Sequence, residues 1–401
     1  MKKYLLFITV AAFCLPIPAY SQQFILGGVA GDLTEEAQTT INALRARPEV
    51  LSVQPISLDV SALTQDYLSV DLSSLGGPRF DFQTDPATAL DAQFALEAQD
   101  PFSWLSNLGF DLSADDPSTV ITVDEDGSVN AIIYGEGSSY EIRPLNSSAH
   151  ILISYDTGSL PPEHPSELPM SPDASQEVPG VAPDQPLTAS TIRVLIGFTP
   201  EAAGLFPRLE NQAQLLVASV NSVLRNSHVR ANFELAGTLV VNYEESSSIF
   251  SDLNRLAGRG DGYLDDIHTH RDAAEADIVY LIAERTDYCG LAFVNANESH
   301  AFGVVAASCG VPNLTFAHEL GHNFGACHDP LNSSSCVPYS EDGYGYQHPL
   351  AEFRDVMAYE CTPRPCPKRP VFSFPPENGE AGRNNVARVA GARAAEMAGF
   401  R

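Results

Sequence analysis

The carboxy-terminal half of the chain alternates between short apolar runs and stretches with helical spacing. The run TIRVLIGF at 191–198 predicts a buried strand, and apolar residues spaced three and four apart between 201 and 226 predict a helix. The same patterns predict further strands around 230–243, 277–284 and 301–307 and further helices around 248–257, 262–274, 313–324 and 385–398. Strands that alternate with helices favour an α/β (α+β) domain with a mixed sheet.

The amino-terminal half has a different pattern. Short alternating runs such as SVNAIIYG and HILISY, separated by Gly-rich or Asp-rich turns, predict a β-rich or α+β domain over 22–156. Residues 161–186 contain eight prolines among polar residues, which is typical of an extended linker. We therefore expect a Pro-rich linker at 157–187 and a second domain at 188–401.

Residues 1–21 have the pattern of a secretory signal peptide. Two lysines precede the apolar run YLLFITVAAF, and small residues flank Tyr20 in a cleavage site of the A-x-A type. This run is shorter than the ~18 apolar residues that a membrane span needs. A lipid anchor at Cys14 is the alternative, but the bulky Phe13 precedes that cysteine. We expect a secreted protein, extracellular or periplasmic, without a membrane anchor.

The chain is strongly acidic, with a formal net charge of −29. Residues 22–190 carry 26 acidic side chains against four arginines and no lysine, whereas 191–401 carry 25 acidic against 16 basic residues. Such acidity argues against nucleic acid or an anionic membrane as a partner. Plain solvation of the surface explains the acidity equally well.

The stretch HELGHNFGACHD, residues 318–329, carries the candidate chemistry. On a helix with ~3.6 residues per turn, His318 and His322 leave the same face. Gly325 favours a left-handed cap, after which the chain can turn and bring back His328. Three nitrogen ligands leave a fourth zinc position open to water, and Glu319 can accept that water's proton. The sequence predicts one catalytic zinc ion and gives no indication about calcium.

A bare HExxH spacing is a weak indicator, because such side chains on an exposed helix face are often only solvated. Here Gly325 and His328 are also in register. In addition, Met357 in DVMAY follows His328 by 29 positions, where a turn could pass beneath the imidazoles. An isolated methionine is usually core filler. Because all these positions agree with one motif, chance is an unsatisfactory explanation for the spacing.

These two segments resemble the extended motif and the Met-turn of the metzincin zinc endopeptidases. Asp329, directly after the third histidine, resembles the adamalysin (reprolysin) group, in which this aspartate is structural. A tyrosine at the offset of Tyr359 assists the metal site in astacins and serralysins, but adamalysins lack it, and packing is the alternative. The resemblance implies a metzincin-type catalytic domain that acts on protein or peptide substrates.

Four segments in order resemble the bacterial peptidyl-Asp metalloendopeptidases, over about half the chain: TIRVLIGFTP, DIVYLIAERTDYCGLAF, AFGVVAASCG and FRDVMAYECTPRPCP. This narrower resemblance implies a preference for Asp. Arg364, Lys368 and Arg369 follow the Met-turn, and in metzincins this segment borders the pocket for the residue after the cut. Bases there would favour an acidic side chain. Three solvated bases are the alternative.

Cysteine usage agrees with export. Besides Cys14, six cysteines lie in the carboxy-terminal half, and an oxidising compartment would let them form three disulfides. Six cysteines allow 15 connectivities. Sequential pairing is the simplest, because each bond would clamp a loop around the site: Cys289 with Cys309, Cys327 with Cys336, and Cys361 with Cys366. Metal binding by these cysteines is the weaker alternative, since no CxxC pair is present.

Several alternatives stay open. Residues 22–156 precede a secreted protease and are most simply a propeptide, but a retained substrate-binding domain is the alternative. A propeptide cysteine bound to the zinc cannot keep the enzyme inactive, because residues 22–288 contain no cysteine. The remaining ways to keep it inactive are a propeptide carboxylate bound to the metal or a propeptide that fills the cleft. A secreted binding or adhesion protein with a structural zinc site would need a fourth protein ligand. We expect a monomer, and we expect surface or structural roles for His268, His270, His300 and His348.

Overall fold

The computed structural model describes most of the chain from residue 33 onwards. The described residues are 22–23, 25, 33–59, 67–73, 79–83, 102–106, 118–124, 126–135, 137–146, 149–163, 165, 168–172, 189–285, 287–333 and 335–401. The predicted signal peptide and residues 173–188 of the predicted linker lie outside them.

The amino-terminal half is built on an antiparallel six-stranded sheet. Its strand order is β2 (Val50–Ile56), β9 (His150–Asp156), β8 (Ser138–Pro144), β7 (Val129–Gly135), β6 (Ser118–Val123) and β5 (Phe102–Ser106). A smaller sheet contains β1 (Gln22–Gln23), β3 (Tyr67–Asp71) and β4 (Arg79–Gln83). The prediction of a β-rich or α+β half is confirmed.

Helix α1 (Glu35–Arg45) covers one end of the large sheet. The Thr34 hydroxyl caps the helix by accepting a hydrogen bond from the Ala37 backbone N–H at 3.2 Å. Ile41 and Leu44 lie three residues apart on one face of the helix. Both are buried against the sheet residues Val53 and Ile153. This half therefore has a small apolar core of its own.

The carboxy-terminal half contains a five-stranded mixed sheet. Its order is β11 (Ala231–Val240), β10 (Ser190–Phe198), β12 (Ile278–Ala283), β14 (Phe302–Ala306) and β13 (Gly290–Ala292). All pairs are parallel except that of β13 with β14. The central strands are buried on both faces, as expected for a sheet covered by helices. The predicted mixed α/β layer is confirmed, and β13, an edge strand of three residues, was not predicted.

Six helices accompany this sheet: α2 (Pro200–Ala203), α3 (Leu209–Asn226), α4 (Ile249–Ala257), α5 (Asp265–Ala273), α6 (Thr315–Phe324) and α7 (Val386–Met397). The predicted single helix over 201–226 is wrong, since α2 and α3 are separate. Pro207 explains the break, because proline lacks a backbone N–H and disfavours helical conformation in the residue before it. No helix in the described part of the chain is long and apolar enough to cross a membrane.

The two halves share one buried surface. Val120 and Ile132 of the amino-terminal sheet belong to the same apolar cluster as the residues of α3. The Tyr134 hydroxyl donates to the Val311 carbonyl at 3.1 Å, and the Arg143 guanidinium donates to the Leu205 carbonyl at 3.0 Å. The amino-terminal sheet is thus packed against the helix layer that also carries α6.

Candidate active site

Three histidines meet beside α6. His318 and His322 lie on the helix, and His328 returns after Gly325. The Nε2 atom of His322 lies 3.1 Å from the Nε2 atoms of both His318 and His328. The Nδ1 atoms of His318 and His322 lie 2.6 and 2.9 Å from the carbonyl oxygens of Val356 and Ala326. Since a carbonyl only accepts, each Nδ1 carries the proton, and each Nε2 presents its lone pair to the cluster.

This arrangement suits a zinc ion. Zn–N bonds of about 2.05 Å in a tetrahedral site separate the ligand nitrogens by roughly 3.3 Å, close to the distances seen here. The carbonyl bonds to Nδ1 fix the ring orientations, as partners of zinc-binding histidines commonly do. Among the described residues, this is the only group of three or more His, Cys, Asp or Glu side chains placed to share a metal ion. Within the part of the chain that the structure describes, no fourth His, Cys, Asp or Glu joins this group, which disfavours a structural zinc site.

Electrostatics keep the three rings neutral. Burial lowers the pKa of His322 to about 4. Burial, and then the neighbouring imidazoles, hold the pKa of His318 and His328 well below the usual range. Neutral imidazole is the form that binds a metal, so these side chains are ready to ligate at neutral pH.

The ends of α6 are set by the backbone. The helix predicted around 313–324 begins at Thr315, and its N-cap is Leu314, in the left-handed region with a φ of 56°, which makes no side-chain capping bond. The first N–H groups of the helix instead reach the carbonyls of Cys309 and Gly310. At the other end Gly325 has a φ of 101°, which confirms the predicted left-handed cap.

Glu319 is fully buried beside the histidines. Its carboxyl lies against Gly290 of the edge strand β13, so closely that a Cβ at this glycine would overlap Oε1. Burial raises the pKa of Glu319 well above its usual range; Lys368 lowers it, and the Glu163 carboxylate raises it further. A carboxyl in this environment readily holds a proton and can later release it.

A turn containing Met357 lies beneath the helix. Met357 is fully buried, and a Cβ at Gly321 of α6 would overlap its sulfur. The Asp355 carboxylate accepts from the backbone N–H groups of Met357 and Ala358 at 3.0 and 2.9 Å and so fixes the turn. The same turn supplies the Val356 carbonyl that orients His318. The Met-turn and the histidine helix therefore form one packed unit.

Gly321→Ala tests this close contact. We expect a loss of about 1–3 kcal/mol in the free energy of unfolding, because the added methyl group forces the Met357 side chain out of place. Gly204→Ala is the control, since its Cβ would meet its nearest atom, the Glu201 carbonyl oxygen, at 3.4 Å. Urea unfolding of both variants measures the difference. Equal changes in the two variants would show that Met357 does not constrain the helix.

Asp329 and Tyr359 link the turn to the third histidine. The Asp329 carboxylate accepts from the backbone N–H of Tyr359 at 3.2 Å and from the Asn332 side chain at 3.0 Å. The Tyr359 ring lies 4.4 Å from the His328 ring, centroid to centroid. These contacts give Asp329 a structural environment, and they place Tyr359 beside the cluster.

Three disulfides surround the site. They join Cys289 with Cys309, Cys327 with Cys336, and Cys361 with Cys366. This is the sequential pairing that the sequence suggested. The first ties the start of β13 to the loop before α6, the second lies beside His328, and the third closes the loop after the Met-turn. Each bond restrains a loop that borders the histidines.

The structure separates the three bases proposed for specificity. Arg364 is exposed, and the Arg369 guanidinium lies 3.7 Å above the Phe353 ring. The Lys368 side chain is only 8% exposed, with Nζ at 2.9 Å from a Glu163 carboxylate oxygen and 3.2 Å from the Asn313 carbonyl.

Sequence reasoning missed two residues near Lys368, namely Arg354 and Glu163. Arg354 donates to the Glu163 carboxylate at 2.8 Å and to the Ala358 carbonyl at 2.7 Å. Its position just before the Met-turn was the available signal. Glu163 lies in the Pro-rich stretch, where no sequence pattern marks it.

The buried helix presents two neutral imidazoles, a turn at a glycine returns a third, and a methionine lies beneath them. These features define a zinc metalloendopeptidase. Residues 210–329 match the family model described as Metallo-peptidase family M12B Reprolysin-like.

The chain is 31% identical over 379 residues to a peptidyl-Asp metalloendopeptidase of Stenotrophomonas maltophilia (strain K279a), covering 92% of this chain and 88% of the relative. It is 31% identical over 355 residues to the enzyme of that name from Xanthomonas campestris pv. campestris, covering 85% and 82%. A third relative with this name, from Pseudomonas fragi, is 32% identical over 177 residues, covering 44% of this chain and 95% of the relative. The chain belongs to the family of bacterial peptidyl-Asp metalloendopeptidases. The similarity extends into the amino-terminal half, which the sequence motifs did not reach.

Proposed function

We propose that this chain is an exported zinc endopeptidase in which His318, His322 and His328 hold the metal and Glu319 handles the protons. The observation that carries the proposal is that the Nε2 atom of His322 lies 3.1 Å from those of both His318 and His328, with the Glu319 carboxyl buried nearby. In this proposal residues 1–21 are the signal peptide, 22–156 the pro-domain, 157–187 the linker and 188–401 the catalytic domain.

The chain's own residues divide the chemistry among them. A zinc ion at the histidines would supply a Lewis acid that polarises the peptide carbonyl and lowers the pKa of water to about 7. The Glu319 carboxylate takes the proton of the attacking water and delivers it to the departing amine nitrogen, acting first as base and then as acid. The carbonyls of Val356 and Ala326 keep two imidazoles in orientation throughout.

Export is supported by the cysteines and by the leader pattern. Six of the seven cysteines form disulfides, which persist in an oxidising compartment and are rare in reducing ones. The basic and apolar pattern of residues 1–21 has the order of a secretory signal. We therefore place the enzyme outside the cytoplasm.

A preference for an acidic residue after the scissile bond is supported by charge. The relatives carry peptidyl-Asp in their names. Here two cations, Arg354 and Lys368, have side chains only 6% and 8% exposed, and Arg354 donates to the Ala358 carbonyl of the Met-turn. Buried cations favour an anionic partner strongly, because they have lost their hydration.

Cleavage-site profiling tests this preference. The zinc-loaded enzyme, obtained by expressing the full chain and allowing it to mature, is incubated with a peptide library of mixed sequence. We expect Asp, and to a lesser degree Glu, to be enriched directly after the cut, whereas Asn and Gln serve as uncharged controls of the same shape. An equal frequency of Asp and Asn at that position would contradict the acidic preference.

A further inference from the structure

A segment that follows the amino-terminal sheet lies along the edge of the catalytic sheet. The described residues of this segment, 160–163, 165 and 168–172, are called the strap. The backbone N–H groups of Cys289 and Gly290 donate to the carbonyls of Pro162 and Glu163 at 2.8 and 3.3 Å. Further along, Met170 pairs in parallel with Val294. The strap thus occupies the free side of strand β13, where an extended peptide could otherwise add a strand.

The strap inserts one acidic side chain into a basic pocket. A single carboxylate oxygen of Glu163, Oε1, lies 2.8 Å from Arg354 Nη1 and 2.9 Å from Lys368 Nζ. The Glu163 side chain is 16% exposed. Although burial alone would raise the pKa of Glu163, the charges of Arg354 and Lys368 outweigh it and hold this pKa well below its usual range. The carboxylate is therefore ionised and tightly paired.

This pocket adjoins the catalytic groups. Gly290 connects the two, because its N–H binds the Glu163 carbonyl while its α-carbon packs against the Glu319 carboxyl. The Arg354 guanidinium also donates to the Ala358 carbonyl in the Met-turn. Glu163 therefore approaches the catalytic centre with both its backbone and its side chain.

A cavity of about 440 Å³ borders the same place. It is lined by the strap from residue 160 to 163, by Asn313 and Arg354, and by Asn332 and Tyr359 from the loops around His328. The Glu163 end of the strap therefore borders a cavity that also reaches Tyr359, whose ring lies 4.4 Å from the His328 ring.

We propose that Arg354 and Lys368 form the subsite for the acidic side chain of the substrate, and that Glu163 fills this subsite as an internal substitute until the strap is removed. The inference rests on the proposed endopeptidase function and adds a means of latency to it. The zinc ligands are not involved in this mechanism. Latency comes from a strand on the edge of β13 and from one carboxylate in the specificity pocket.

Removal of the strap would leave two buried cations that need another anionic partner. Arg354 has a second acidic partner, Glu360, at 3.1 Å, but that side chain is 54% exposed and far better hydrated than Glu163. Loss of the strap would leave Lys368 and the inner face of Arg354 without the Glu163 carboxylate, which is costly for buried charges. A substrate carboxylate entering the cleft would restore the same two contacts.

Peptide binding to the full chain tests the proposal. All proteins carry Glu319→Gln, so that the zinc-loaded chain does not process itself, and fluorescence anisotropy measures a labelled octapeptide with a central Asp. Its counterpart has Asn at that position. Glu163→Gln removes the charge with little change of shape, and Glu163→Lys places a third cation in the pocket. Glu36→Gln, on the exposed face of α1, is the matched control.

We expect Glu163→Gln to tighten binding of the Asp peptide by about tenfold or more, as expected for the loss of one competing charged hydrogen-bonded pair. Glu163→Lys should do at least as much. The Asn peptide should change by less than about twofold in either variant, and Glu36→Gln should have no effect. Adding Lys368→Gln should abolish the gain.

Unchanged Asp-peptide binding in both Glu163 variants would overturn the proposal. So would an equal gain for the Asp and Asn peptides, since that result means loosening of the strap without a charge-selective pocket. Hydrolysis by the wild-type enzyme is measured separately. If the wild type cleaves peptides while the Glu163 variants bind the Asp peptide no better, this inference fails and the proposed function stands.

Discussion

Replacing Glu319 by glutamine lowers peptide hydrolysis by about 10²–10⁴-fold while the protein keeps its zinc. Glutamine has nearly the same shape as glutamate, so the contact with Gly290 is kept. It cannot accept a proton from water or return one to the leaving nitrogen. Because the Nε2 atoms of the histidines do not depend on this carboxyl, metal content should be unaffected. The measurement is kcat/KM on a fluorogenic peptide, together with zinc content per chain.

Glu352→Gln is the matched control for Glu319→Gln. This glutamate is 54% exposed and pairs with His348 at 3.5 Å, away from the clustered histidines. The control should retain wild-type kcat/KM within about twofold, as expected for an exposed pair. If Glu319→Gln kept wild-type activity, or lost its zinc, the role given to this carboxyl would be wrong.

His322→Ala should remove the metal and, with it, nearly all activity. His322 is the central ligand of the three, since its Nε2 atom lies 3.1 Å from those of both partners. Two imidazoles do not hold a catalytic zinc, for which three protein ligands are usual. We expect zinc content to fall from about one ion per chain to near zero. The apparent melting temperature should fall as well, because an ion that binds only the folded state stabilises it.

His348→Ala is the control for this ligand substitution. His348 stacks on Phe353 with ring centroids 5.1 Å apart, and it lies outside the histidine cluster. Zinc content and hydrolysis should both stay at the wild-type level. If His322→Ala retained a full complement of zinc, the metal site would have to lie elsewhere in the chain.

The metal site was predictable because its signals are local in sequence. The spacing of His318 and His322 follows from the helix repeat, and Gly325 marks the turn that returns His328. The Met-turn could be placed because Met357 follows at a familiar distance. Paired cysteines close in sequence, such as Cys361 and Cys366, were predictable for the same reason.

The pocket formed by Arg354, Lys368 and Glu163 was not predictable, because it depends on contacts across long sequence distances. Arg354 and Glu163 are separated by 191 positions, and Glu163 lies in a proline-rich stretch whose composition predicts only an extended chain. Edge strand β13 has three residues, too few to show an alternating pattern. The start of α6 was misjudged because backbone carbonyls of the preceding loop, and no side-chain cap, satisfy its first N–H groups.

The most direct test of the central claim is zinc titration of the chelated enzyme with hydrolysis followed in the same samples. The mature wild-type protein is stripped of metal, its loss of activity is recorded, and zinc is returned in steps. We predict that activity is absent without zinc and rises in proportion to added metal until about one ion per chain is bound. Full hydrolysis by the metal-free protein, or binding of one zinc per chain without any return of activity, would contradict the account.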